Sequence, residues 1–157
     1  MKTLITPQQT ASLAFADGGY VAAEVISLHD IAAAEERYIV PVLGESLREA
    51  LLEGRYAELL DDYVAPALAM AVRTMLQRAL NVSTGQAGLV VPECEGATAA
   101  SAATADALQR SLVERRRALV RRLSAHLRSC SSAYPEYKPS RDAVQRCSLY
   151  GDIIQIH

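Results

Sequence analysis

Tryptophan is absent from this 157-residue chain, phenylalanine occurs once and cysteine three times. Seven tyrosines aside, the hydrophobic half of the composition is aliphatic and alanine-rich, which favours closely packed helices over a strand-rich sandwich. The cysteines, Cys94, Cys130 and Cys147, are odd in number and far apart, with no CxxC pair and no histidine ladder near them. No zinc module can be read from that spacing, and reduced thiols in a cytosolic setting are expected. Long apolar runs are missing too. The opening MKTLITPQQTASLAF has no continuous apolar stretch, and nothing approaches the roughly 18 uninterrupted apolar residues of a membrane span, so neither export by a cleaved signal nor a membrane partner is expected. Excess charge of one sign is also lacking: the formal net charge is -2, which gives the whole molecule no drive toward nucleic acid or anionic lipid.

What the chain does have is charge polarity. From Met1 to Asp62 eleven acidic residues face four basic ones, whereas Asp106 to Arg128 holds seven arginines against two acids. It also has strong helical periodicity. Thr6-Pro7 reads as a helix start running to about Ala16, stopped by Asp17-Gly18-Gly19. Ser27 with Asp30 resembles a capping box, opening a helix with Ile31, Ala34, Tyr38, Ile39 and Val42 at helical spacing. Pro41 predicts a junction at Val40, and Leu47, Ala50 and Leu51 give a third helix closed by Gly54. The cleanest stripe runs from Tyr56 to Leu80 with Pro66 as a kink, and predicts the hydrophobic spine.

The expected architecture is mainly α: one helical bundle of about five helices with a kinked central helix, a short β-prone loop and an extended C-terminal tail. Residues 1–81 form the helical core block and residues 82–101 a loop with a short strand at Leu89 to Val91. Residues 102–130 form an arginine-rich helix with Leu108, Leu112, Leu119, Leu123 and Leu127 on one side, and residues 131–157 the tail. Ile153 to Ile156 reads as a strand or docking arm that pairs with the Leu89 to Val91 run or with a neighbour's edge.

Catalytic motifs do not emerge. His29, His126 and His157 are scattered outside any HExxH or ExxH pattern and read as structural or surface residues. Glu35-Glu36 and Asp61-Asp62 are adjacent on helices, so each pair points about 100 degrees apart and reads as a solvated face or N-terminal helix charge rather than an acid-base dyad. Gly18-Gly19 and Gly85-Gln86-Ala87-Gly88 lack the lysine of a phosphate loop. No catalytic residue, cofactor or metal is expected. The sharp signal is Arg110, Arg115, Arg116, Arg117, Arg121, Arg122 and Arg128, spread around more than half a helix. Arg116 falls within the leucine stripe, with Arg115 beside it, so each must reach outward or find a carboxylate from the acidic half or from a neighbour; phosphate contact is the alternative.

The block RYIVPVLG, a short amphipathic helix ending in glycine, then YAELLDDYVAPALA, resembles small all-helical head-tail connector (head-completion adaptor) proteins of tailed phages in their prophage-encoded form. ITPQQ and SSAYPEYKPS are similar to that family's pattern as well. The resemblance implies a non-enzymatic virion structural component, assembled in the bacterial cytoplasm, that self-associates into a ring between portal and tail proteins with DNA in its lumen. It carries over no catalytic residue and no cofactor. From charge, Arg115, Arg116, Arg121 and Arg122 are the candidate interface or DNA-facing residues; the alternative is a DNA-binding regulatory or packaging-associated protein using the same helix.

Overall fold

The structure is a computed structural model and describes residues 2–15, 21–80, 83–85, 88–90, 101–150 and 153–156. The expectations about Asp17-Gly18-Gly19, Gln86-Ala87, Val91, Cys94 and His157 lie outside those residues.

Each helix start has a local cause. Helix α1, Pro7–Ala14, begins at a complete capping box in which Thr6 and Gln9 satisfy each other's backbone N–H, with proline at the first helical position. Helix α2, Leu28–Ala34, begins at the same device built from Ser27 and Asp30. The chain then stays helical through a π-helical turn, Glu35–Ile39, into α3, Val40–Leu43, and stops at Gly44, whose φ of 76 is a left-handed value that favours glycine. Helix α4, Glu45–Leu52, is followed by Gly54 at φ 86. A short α5, Ala57–Leu59, runs through a second π-helical turn, Leu60–Val64, into α6, Ala65–Leu80.

Pro41 and Pro66 thus receive one structural solution. In each case the residue just before the proline donates five residues back, Val40 to Glu35 and Ala65 to Leu60. Proline lacks an N–H and crowds the carbonyl four residues behind it; a turn widened by one residue relieves that crowding while the helix continues. Pro41 lies in the first turn of α3, as the sequence predicts, yet the helix runs on through it to Leu43.

Helix α6 is the spine. Ala67, Leu68, Ala69, Ala71 and Val72 are fully buried, and α1, α2 and the long α7, Ala102–Ser129, all pack on it. Around it lie Ile5, Ile31, Ile39, Leu43, Leu47, Leu59, Val64, Leu123 and Leu127 in one cluster. Each such side chain contributes about 1.5–3 kcal/mol when fully removed from water. Helix α7 spans about 42 Å at 1.5 Å per residue. Its stripe is buried at Leu112, Leu123 and Leu127, but Leu108 is exposed, so the N-terminal turns reach beyond the core.

The remaining segments pair locally. Strands β1, Ser83–Gly85, and β2, Gly88–Val90, form an antiparallel hairpin; β3, Cys147–Tyr150, and β4, Ile153–Ile156, form another with Cys147 opposite Ile156. The expected pairing between the Leu89 run and the Ile153 to Ile156 run is not what forms, because each has a partner a few residues away, and a short loop closes at lower entropic cost. Between α7 and β3 the chain makes two 3-10 turns and a short α8, Ala143–Arg146. That stretch is anchored by Asp142, fully buried, whose carboxylate accepts from Ser124 Oγ at 2.6 Å, Tyr137 OH at 2.8 Å and the Val144 N–H at 2.9 Å.

Candidate interaction surface on the arginine helix

The four arginines singled out from sequence separate in space. Arg116 is half-buried and places its guanidinium carbon 4.2 Å from the centroid of the Tyr38 ring. Arg122 stacks in the same manner over Tyr63, at 4.8 Å. His126 also stacks on Tyr63, with ring centroids 4.0 Å apart and planes 17° from parallel, and His126 Nε2 lies 3.2 Å from the Tyr134 hydroxyl. Arg115 and Arg121 are exposed. So the stripe position at Arg116 is resolved by an aromatic face, and the carboxylate partner expected for Arg115 and Arg116 is absent among the described residues.

Part of the acidic half is paired within its own neighbourhood, while Glu58, Asp61 and Asp62 form no ion pair among the described residues. Arg48 pairs with Glu35 and, at 3.7 Å, with Glu45; Arg55 pairs with Glu53 at 2.9 Å and with Glu136. No arginine of α7 enters an ion pair among the described residues, although Arg128 donates to Gln145. Burial holds Arg116 below the ordinary arginine range; the nearby Tyr38 opposes this, and the like charges of Arg117 and Arg37 add to it.

Two adjoining concavities flank α7, of about 300 and 730 Å³, and share Arg37, Tyr38, Arg116 and Arg117. Arg121, Val120, Val42 and Val144 line the first; Arg78, Arg110, Met75 and Glu114 line the second. Helical spacing explains the row: Arg110, Glu114, Arg117 and Arg121 recur at four, three and four residues and so share a face. The opposite wall comes from the π-turn residue Arg37 and from Arg78 near the end of α6. Gln109 ties the walls together through Nε2 donated to the Thr74 carbonyl at 3.0 Å, and its Oε1 is buried without a partner among the described residues.

Sequence reasoning missed three buried charges, Glu35, Arg73 and the Asp142 hub described above. Glu35, read as a solvated face, is 1% exposed; it accepts the Leu4 N–H at 3.0 Å and pairs with Arg48, which fastens the N-terminal segment to α2 and α4. The signal was available, because Glu35 lies four residues from both Ile31 and Ile39, inside the apolar stripe. Arg73, inside the spine, donates to the Ala14 carbonyl at the end of α1 and lies 4.9 Å from the centroid of the Phe15 ring. A cation there meets the partial negative charge of the helix terminus.

A family model described as "Family of unknown function (DUF6712)" matches residues 35–146. The chain belongs to DUF6712. The matched region contains both π-turns with the prolines that follow them, the spine, the arginine helix and Asp142, so the two concavities, together an arginine-lined trench, lie within the DUF6712 domain. No curated protein and no solved structure matches the chain. Among the described residues no group of three His, Cys, Asp or Glu side chains is placed to hold a metal ion, and no helix is long and apolar enough to cross a membrane.

Proposed function

We propose that this DUF6712 protein is a non-enzymatic assembly subunit, of the head-tail connector kind, that associates with copies of itself into a ring between portal and tail proteins of a phage. One observation carries the reading: the chain is near neutral overall, yet its arginine helix keeps its charges unpaired within the described fold. Unpaired, preorganised guanidinium groups on one surface and exposed carboxylates on another are the arrangement a heterologous, head-to-tail contact uses. The resemblance of the RYIVPVLG and YAELLDDYVAPALA blocks to connector proteins supplies the biological setting.

Size-exclusion chromatography with light scattering, over a range of concentrations and with a portal protein added, tests it. Concentration-dependent growth into a discrete oligomer, or capture by the portal, is the expected result. A monomer that engages neither itself nor a portal removes the proposal.

The unpaired guanidinium groups equally suit phosphate, which supports a second reading as a DNA-binding regulatory or packaging-associated protein. Under that reading, duplex binding is tight at low salt, falls steeply as salt rises, and weakens further when Arg121 and Arg122 become alanine. Absence of binding at low salt disposes of it.

A further inference from the structure

We infer that the arginine trench beside α7 receives the exposed acidic ridge of a second copy of this chain, centred on Glu58, Asp61 and Asp62; this rests on the self-assembly reading above and names its seam. The trench is a two-walled cationic groove. Arg110, Arg117 and Arg121 come from α7 and Arg37 and Arg78 face them, while Arg116 lies between the walls on the ring of Tyr38. Glu114 is the one carboxylate lining it and forms no ion pair among the described residues. From Arg110 to Arg121 the row runs about 16 Å along the helix axis.

The occupant follows from shape and charge. Packed helices lie roughly 8–10 Å apart, so the space between the two walls is on the scale of a ridge of side chains. On the same chain Glu58, Asp61 and Asp62 are exposed, spaced three and four residues apart along α5 and its π-turn, and engaged in no ion pair among the described residues. Glu45 and Glu53, by contrast, already have arginine partners. The ridge and the trench are therefore two unneutralised surfaces of opposite sign among the described residues. Planar guanidinium groups hold carboxylates in paired hydrogen bonds, and Tyr38 holds one of them in place before contact.

Two neutralising variants of the full-length protein test the seam. Arg117→Ala with Arg121→Ala empties the trench of two charges, and Asp61→Asn with Asp62→Asn neutralises the ridge; all four positions are exposed, and circular dichroism melting checks that both variants fold. Light scattering is expected to show that each variant alone self-associates about tenfold more weakly or worse than wild type. Mixed in equal amounts they should form a species that stops at one copy of each, since only one intact trench and one intact ridge can meet. Wild-type assembly that both variants reproduce overturns the seam and leaves the ring reading standing. A wild type that never assembles, with or without a portal, overturns both. Self-association unchanged in the trench variant, together with lost binding to a short DNA duplex, also overturns the seam and assigns the trench to phosphate.

Discussion

Arg116→Met is expected to make the isolated protein more stable, although it replaces the most engaged arginine of the trench. The folded environment disfavours the charged form of this residue, because burial and the cations of Arg117 and Arg37 outweigh the Tyr38 ring. Methionine keeps the unbranched stem against Tyr38 and discards the charge. On the cost side is the cation-π contact, about 0.5–1 kcal/mol at a partly exposed position. Against it stand two like-charge repulsions of about 0.3–0.5 kcal/mol each. A further gain of about 1 kcal/mol comes from placing an apolar end group between Leu112 and Leu119. The balance is about 0.6–1.5 kcal/mol in favour of methionine, a rise of roughly 1–6 °C in melting temperature for a chain of this length. Arg116→Ala should go the other way by about 1–2 kcal/mol, since it removes the stem from Tyr38 as well as the charge. Urea denaturation followed by circular dichroism gives both values. Added salt provides an internal control, because screening the Arg-Arg repulsion should narrow the gap between wild type and Arg116→Met. A methionine variant less stable than wild type by about 0.5 kcal/mol or more refutes the reasoning, for the ring would then be outweighing the repulsion.

Other outcomes follow from the buried polar groups. Asp142→Ala strips a fully buried acceptor of three donors and should cost about 3–5 kcal/mol, whereas Tyr137→Phe, which removes one donor, should cost about 1–2 kcal/mol; equal values in a denaturation series would mean that Asp142 is not the hub. Glu136 sits below the ordinary carboxylate range, first through its own backbone N–H and then through the Tyr56 hydroxyl and Arg55. A lowered carboxylate stabilises fully above its unfolded value and loses that contribution as pH falls through the folded value, so acidification from about pH 5 downward should loosen this contact in wild type. The acid dependence of the Tyr56 ring resonances in NMR should be flatter in Glu136→Gln, and an unchanged dependence would show that Glu136 does not set it. Glu35→Ala should expose the N-terminal segment, because the Leu4 N–H and Arg48 lose their shared acceptor; faster hydrogen exchange at Leu4 and Ile5 with α6 unchanged is the expected pattern, and no change there would show that the latch is dispensable.

The elements were legible where one local rule acted alone. The Thr6-Pro7 helix start, the Ser27-Asp30 capping box, Gly54, the bounds of α7 and the stripe from Tyr56 to Leu80 follow from side chains within four residues of each other. The π-turns were not legible, because a proline in a helical pattern announces crowding without saying whether the chain breaks, bends or widens by one residue; packing on α6 decides among them. Glu35 and Arg73 were missed for a related reason. Periodicity weighs a charge as a surface residue, while the fold supplied Arg48 to one and the carbonyl end of α1 to the other.

The arginines show where legibility in the site itself stopped. Charge along the sequence identified α7 as the basic element and Arg116 as misplaced on its apolar side, but the partner was sought among carboxylates because the N-terminal half is rich in them. Those carboxylates do not reach α7. Arg48 and Arg55, short-range neighbours, engage Glu35, Glu45 and Glu53, and the contact long in sequence from Arg55 goes to Glu136. What remains over is specific: a ridge at Glu58, Asp61 and Asp62 on one element and a trench of arginines on another, with Tyr38 and Tyr63 holding two of the guanidinium groups still. Surface charge alone keeps a protein soluble and needs no partner. A half-buried arginine stacked on a tyrosine and crowded by two neighbouring cations is different, because its folded surroundings disfavour the charge, and an anionic partner would offset that penalty.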